Sequence, residues 1–291
     1  MANRKRRVKS DSINNLVVIS DTHCGCRLAL CPPDGVMLDD GGTYMPSKFQ
    51  QWMWSKWEEF WADFVPHSTR GEPFAVVHNG DAIDGVHHNS TTQISHNIED
   101  QTEIAYRVLK PVFDACEGRY YHIRGTEAHV GKSGVEEERL AKRLGAIPNE
   151  DGQFSRYELW KRVGPKLVHL LHHVGTTSSA GYDATAVHKE LVETLAEAAA
   201  WGDECPDMLV RSHRHRYIAT GIPGGRHHGG ETGARSSVVT PGWQGKTPFA
   251  WKIAGARRSQ PQFGGIVVRY SDDGEFFHRQ KVWTLERSKS E

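Results

Sequence analysis

The sequence lacks a long hydrophobic run: no apolar stretch approaches the roughly 20 residues of a membrane-spanning helix, so no membrane partner is expected. No apolar signal-type segment follows the basic start, which points to a cytoplasmic protein. Cysteine is scarce. Five residues at irregular spacings suit a reducing compartment better than a disulfide framework. Net charge is missing too: Lys plus Arg and Asp plus Glu balance at 36 each, so no overall field draws the chain to nucleic acid or membrane. What is plentiful is histidine, 17 residues with several in pairs, more than surface chance or core packing readily explains.

With 291 residues the chain is read as one domain over residues 13–286, between a basic flexible tail at 1–12 and a short tail at 287–291. Arg4, Lys5, Arg6, Arg7 and Lys9 read more simply as solvated chain than as a nucleic-acid contact. Nothing in the sequence specifies an oligomeric state.

The informative pattern is how predicted strands end. Leu16-Val17-Val18-Ile19 reads as a strand buried on both faces, and it stops at Asp21 and His23. In an open α/β sheet the crevice beyond the strand ends collects function, so these two could hold a metal there. Phe74–Asn79 is a second such strand and ends in Gly80-Asp81, with Asp84, His87 and His88 just after. Tyr120–Ile123 ends in Arg124-Gly125-Thr126-Glu127-Ala128-His129. Two strands, 156–164 and 166–174, surround a Gly-Pro turn, the second ending in His172-His173. Met208–Arg211 runs into Ser212-His213-Arg214-His215. Further strands fall near Tyr217, Val238, Ile266 and Phe276, the last two joined by a turn at 271–274.

Helices are expected over 46–64, where Phe49, Trp52, Met53, Trp57, Phe60, Trp61 and Phe64 make a core-facing stripe, and over 98–116, which contains Pro111. Trp54 lies off the stripe. Ser133 with Glu136 looks like a capping box for a helix to Leu144, and Asp183 like the cap of an Ala-rich helix to Trp201. Residues 240–265 read as a long loop rich in Gly, Pro, basic and aromatic residues, a length usually functional or disordered. Cys24, Cys26 and Cys31 could suggest a structural zinc, but Asp21 and His23 have a better use and no second cysteine pair completes the site.

Five blocks thus stand in order: Asp21-x-His23, Gly80-Asp81, Arg124-Gly125 to His129, His172-His173 and His213-x-His215. Their order closely resembles the calcineurin-like metallophosphoesterase superfamily over about residues 16–216, and five ordered blocks are far more specific than any one. The Thr240-Pro241-Gly242-Trp243-Gln244 loop and the Gly125–His129 block look most like the uncharacterised metallophosphoesterases of phage and prophage genomes.

The resemblance implies an α/β fold, a four-layer α/β/β/α sandwich of two mixed sheets. It also implies two divalent ions, held roughly 3.5–4 Å apart, that generate hydroxide and stabilise the attacking and leaving oxygens of a phosphoryl displacement. By that pattern Asp81 bridges the ions, Asp21, His23 and His215 complete one shell, and His172 and His213 bind the other, with His173 as the alternative to His172. Imidazole and carboxylate donors suit Mn, Fe, Zn or Ni, and Mn is the ion most expected to support activity. The chain departs from the family at Gly125-Thr126-Glu127-Ala128-His129, where the family has Gly-Asn-His and then an acid. The family's Asn binds the second ion and its His assists the leaving group. Glu127 is expected to supply the missing oxygen and His129 the imidazole, Thr126 being a poor substitute. Arg124 matches an Arg that grips phosphate, a role its planar fork suits, although a plain surface Arg remains the alternative.

The expected function is therefore metal-dependent hydrolysis of a phosphomonoester or phosphodiester by attack of metal-bound hydroxide. One alternative is a nuclease on DNA or RNA that grips a strand with Trp243, Lys246, Phe249, Trp251, Lys252, Arg257 and Arg258. A monoesterase would use the same loop as a lid. Another alternative is a metal-stabilised binding protein that has lost catalysis.

Overall fold

In the computed structural model, which describes residues 13–87, 89–131, 133–175, 180–226, 232–253 and 260–285, the run Asn15–Ile19 forms strand β1, buried at every position. A run this apolar on both faces belongs inside a sheet, and β1 has strands on either side. After a ribbon of β2 (Val36–Met37) and β3 (Thr43–Tyr44), helix α1 (Lys48–Glu59) begins at Ser47. Ser47 and Gln50 cap each other's backbone N–H groups there. The single helix predicted for 46–64 is interrupted: a π-helical turn, Phe60–Phe64, leads into α2 (Val65–Thr69). Met53, Trp57 and Phe60 are buried across the join, and Trp54 lies half-buried at the margin of the same core.

Strand β4 (Ala75–Asn79) is followed by α3 (Ile98–Ala115), which buries Ile104, Ala105, Val108, Leu109 and Val112 along one face and exposes Pro111. Then come β5 (Tyr120–Ile123), one-turn α4 (Glu127–Val130) and α5 (Val135–Leu144). The capping box expected at Ser133 and Glu136 does not form. Gly134, left-handed at φ 65°, takes the cap position, and the next two glutamates hold neighbouring loops instead.

The single strand expected at 156–164 is two. β6 (Ser155–Arg156) pairs with β5, and past Tyr157 the chain changes layer, so that β7 (Glu158–Val163) pairs with β8 (Lys166–Leu171). Helix α6 (Asp183–Trp201) starts with Asp183, not after it; the Asp183 carboxylate turns outward to Arg216 at 2.6 Å. Strands β9 (Met208–Arg211), β10 (Ile218–Arg226) and β11 (Thr232–Val239) follow. Residues 240–265 are not all loop: they contain α7 (Pro248–Ile253) and the start of β12 (Gln262–Tyr270), which pairs with β13 (Phe276–Thr284).

One sheet runs β13-β12-β1-β4-β5-β6 and the other β10-β11-β9-β8-β7. Both are mixed, with β1, β4, β5 and β6 parallel in the first and β11, β9 and β8 parallel in the second. Side chains alternate across β1: Leu16 and Val18 meet Val168, Leu170 and Val210 between the sheets, whereas Val17 and Ile19 pack with residues of α1, α3 and α5. Val187 of α6 covers the second sheet. These are four layers, the α/β/β/α sandwich of two mixed sheets expected from the sequence. Among the described residues no helix is long and apolar enough to cross a membrane. The basic segment 1–12, the tail 287–291, His88, Arg257 and Arg258 lie outside the described residues.

Candidate metal centre

The parallel strands of both sheets end at one rim, where a chain of buried small polar groups ties them together. Thr240 Oγ1, just past β11, lies 2.8 Å from Ser20 Oγ and 2.7 Å from Ser212 Oγ. Asn79 Nδ2 donates to Ser212 Oγ at 2.7 Å and to the Leu171 carbonyl at 3.1 Å. Ser20, Leu171 and Ser212 directly precede Asp21, His172 and His213, so the ties fix where those side chains emerge. Sequence reasoning passed over them; the signal was a small polar residue closing an otherwise apolar strand. Glu137, fully buried on α5, was missed as well. Its carboxylate accepts the Ala82 N–H at 2.8 Å and the Gly125 N–H at 2.7 Å, which pins the loops after β4 and β5 side by side.

Backbone strain concentrates here. Asp21, His23, Asp81, His213 and His215 all have positive φ, between 40° and 72°. Each such non-Gly residue costs about 1–3 kcal/mol and persists only where the surroundings enforce it, typically where function demands it. Glycines provide the matching close approaches. A Cβ on Gly80 would lie 2.4 Å from His172 Nδ1, and one on Gly125 would lie 2.0 Å from Asp81 Oδ1.

These residues bring their donor atoms together. Among the described residues, four groups have ligand-type atoms within 4.8 Å of one another: Asp21–His23–His215, Asp21–Asp81–His172, His172–His173–His213 and His23–Asp84–His129. Asp81 Oδ2 lies 3.1 Å from His172 Nε2 and 3.9 Å from both His23 Nε2 and His213 Nδ1. The His23 and His215 Nε2 atoms face each other at 3.2 Å, and the buried Asp21 Oδ1 lies 3.2 Å from His215 Nε2 as an ion pair but without the angle of a hydrogen bond. Two imidazole nitrogens and a carboxylate oxygen pointing at one place are a donor set for a divalent cation. The His172 ring is oriented by Nδ1–H donation to the Asn79 carbonyl at 2.6 Å, which turns Nε2 toward Asp81. Buried Asp84 accepts from Gln93 and Gln244, both at 2.9 Å, and lies 3.5 Å from His23 Nδ1.

The charges are tightly coupled. Burial opposes ionisation of Asp21 and Asp81, yet His215 beside the first and His172 beside the second hold both carboxyls below the usual range. Burial likewise opposes the His172 imidazolium, but Asp81 pulls it up to about 10, and Asp21 raises His215. Protonated imidazoles thus balance the carboxylates, and divalent cations would compete with those protons for the same atoms.

Not every expected residue joins the cluster. Glu127 is exposed on α4 and belongs to none of the four groups. Thr126 stands where it was expected: its N–H donates to Asp81 Oδ1 at 2.7 Å, and its Oγ1 lies 3.2 Å from Asp81 Oδ2, 3.4 Å from His172 Nε2 and 3.2 Å from His213 Nδ1. Arg124 turns away, with Nε donating to Ser155 Oγ at 3.0 Å and its guanidinium 4.8 Å from the Tyr157 ring centre. His129 does reach the rim: Nδ1 lies 2.6 Å from the Asp84 carbonyl, its ring meets those of His23 and His87 edge-on, and burial pushes it down to about 4. His172 is buried, whereas His173 is exposed beside it. Cys24, Cys26 and Cys31 are buried free thiols, and burial pushes each up to about 12 or beyond, which leaves them poor metal ligands.

A cavity of about 470 Å³ opens on this rim, walled by His23, Asp81, His129, His213 and His215 together with Arg214, Arg216 and Lys246. Trp243 does not face it. The indole is fully buried, edge-on to Trp57 and Phe60, so the proposed strand-binding surface loses its first aromatic.

No protein-family profile matches this chain, and no curated protein matches it. Among solved structures, Vps29 of Chaetomium thermophilum is 11% identical with a TM-score of 0.37, over 93% of this chain and 98% of that one. A conserved uncharacterised protein of Streptococcus pneumoniae, described as a predicted phosphoesterase, is 10% identical with a TM-score of 0.32, over 94% and 98%. A hypothetical protein from Thermus thermophilus is 12% identical with a TM-score of 0.42, over 94% and 100%. Likenesses this low assign neither a family nor an activity.

Proposed function

We propose that this chain is a phosphoester hydrolase that works with two divalent metal ions. The observation that carries this reading is Asp81, whose single Oδ2 serves His23 on one side and His172 and His213 on the other. A shared carboxylate is what a close pair of ions requires. Asp21, His23 and His215 would hold one ion and His172 and His213 the other, with the Thr126 hydroxyl in the place expected of Glu127. When bound, such ions polarise the phosphoryl group and lower the pKa of water toward neutrality. The donors suit Mn, Fe, Zn or Ni.

The chain's own groups do the positioning. Asp84 lies behind His23 Nδ1 at 3.5 Å and the Asn79 carbonyl accepts from His172 Nδ1, so both Nε2 atoms face the cluster. His129 donates Nδ1–H to the Asp84 carbonyl, which leaves Nε2 a base in the free protein; the proton it would take up from the attacking water is the one it would return to the departing oxygen.

Protein stripped with a chelator and reloaded with Mn is expected to hydrolyse nitrophenyl phosphate or bis(nitrophenyl) phosphate, and the stripped protein neither. His129→Ala should lose on the order of 10²-fold on alkyl phosphoesters, whose alkoxide needs a proton, and much less on nitrophenyl esters. Equal losses on both, together with loss of an ion, would make His129 a ligand. No turnover of any ester by the reloaded protein would overturn the reading.

A further inference from the structure

The cavity is larger than one phosphoryl group needs. At about 470 Å³ it lies within the range of small-molecule sites, about 300–1,000 Å³. Next to the candidate ligands its wall carries three cations from two separate segments, Arg214 and Arg216 beyond β9 and Lys246 before α7. We propose that this basic wall is a second anion subsite, and that the substrate is a small phosphomonoester whose alcohol bears a further phosphate. The inference rests on the phosphoester reading and extends it to a substrate class.

The two arginines are held in place from behind. Asp183, the first residue of α6, accepts from Arg216 Nη1 at 2.6 Å through its carboxylate and from Arg214 Nη1 at 3.0 Å through its carbonyl. Arg214 also donates to the Gly175 carbonyl. Guanidinium groups fixed in this way have little freedom left to lose when an anion binds. Lys246 is placed by a different contact, with Nζ 3.8 Å from the Trp251 ring centre. Arg214, Arg216 and Lys246 bring three positive charges to this side of the cavity, and forked guanidinium donors match phosphate oxygens.

The composition of the wall separates a compact substrate from a nucleic-acid strand. No Phe, Tyr or Trp is among its described lining residues; Gln244, Thr247 and Gln260 fill the positions beside the cations. A strand binds through aromatic stacking platforms as well as charge, at about 1–3 kcal/mol per base, and among the described residues the aromatic beside this wall is Trp251, whose face is taken by Lys246. A second phosphate on a short linker needs only charge and hydrogen bonds.

The test compares propane-1,3-diol monophosphate with its bisphosphate on the Mn-loaded full chain, with nitrophenyl phosphate and oligothymidylate as references. The bisphosphate is expected to have the higher kcat/KM by about tenfold or more, the effect of adding a charge-assisted contact. Arg216→Gln and Lys246→Gln should shrink that preference toward one, with smaller losses on nitrophenyl phosphate. In metal-stripped protein the double variant should also bind inorganic phosphate more weakly by calorimetry. Nitrophenyl phosphate turnover without bisphosphate preference, and with phosphate binding unmoved by the variants, would overturn the subsite and leave the phosphoesterase standing. Phosphate binding that depends on Arg216 in a protein that turns over no ester would do the reverse. Preference for oligothymidylate would overturn the compact substrate.

Discussion

Strand β1 buries charge at both ends, and the two ends settle it differently. Near its start, fully buried Arg269 donates to Asn15 Oδ1 at 2.7 Å, to the Thr69 carbonyl at 3.0 Å, and to both oxygens of Glu72 at 2.9 and 2.7 Å. There the cation, its anion and its polar neighbours all come from the chain; one residue, Arg70, is left-handed at φ 56°, and of the guanidinium nitrogens Nε makes no hydrogen bond. Just past its other end, two carboxylates, Asp21 and Asp81, are buried together among imidazoles, with single N–H groups of His213 and Thr126 donating to them and five residues in left-handed backbone. A buried charge the fold wants for stability is matched by an opposite charge from within, as Glu72 matches Arg269. One left to be satisfied from outside, at a cost in strain, marks a binding site.

This contrast can be broken or sharpened by mutation. The largest effect on stability should come from Glu137→Ala at the rim, which orphans the Ala82 and Gly125 N–H groups; at about 1–3 kcal/mol for each, urea denaturation should show a loss of about 2–6 kcal/mol. Glu137→Gln, which keeps one acceptor oxygen, should recover part of it. A loss below 1 kcal/mol would mean that the two loops hold without the carboxylate. Arg269→Ala at the opposite end should cost about 2–3 kcal/mol, below the 3–5 kcal/mol of a fully enclosed pair because Glu72 reaches solvent. It should leave metal content unchanged; a drop in bound metal would erase the distinction between the two ends.

An effect that is absent at neutral pH and grows only on acidification lies in the second sheet, away from both ends. Burial pushes His169 down to about 4, against an ordinary value near 6.5, helped by Arg211 beside it. The unfolded chain therefore binds more protons between those values. Stability from this group is full above pH 6.5 and falls as the pH drops toward 4, by at most about 1.4 kcal/mol per pH unit. Denaturation at a series of pH values should show the fall, and His169→Gln should flatten it; an unchanged slope would place the titration elsewhere.

Much of the rim was legible in the sequence because its strands are short, β-branched and closed by polar residues. Asp21, His23, Asp81, His172, His213 and His215 could be placed at strand ends from that pattern alone, and the structure gathers all six. What was illegible depends on direction rather than position. Spacing cannot tell that Thr126 points inward and Glu127 outward, since a one-turn helix beginning at Glu127 decides it. Arg124 follows a strand as expected, but Ser155 and Tyr157 draw its side chain away from the rim. Trp243 looked like a surface aromatic in a Gly-rich loop, yet it completes an aromatic core with Trp57 and Phe60. Glu137 resembled an ordinary acidic first turn of a helix, and only the tertiary fold reveals the backbone groups it holds.

The central claim is that the rim is built around two cations shared by Asp81. Elemental analysis with a parallel nitrophenyl phosphate assay, on Mn-reloaded wild type and Asp81→Asn, tests it most directly. Two ions per chain with turnover in the wild type, and fewer than two without turnover in the variant, are predicted. Two ions and unchanged turnover in Asp81→Asn would contradict it.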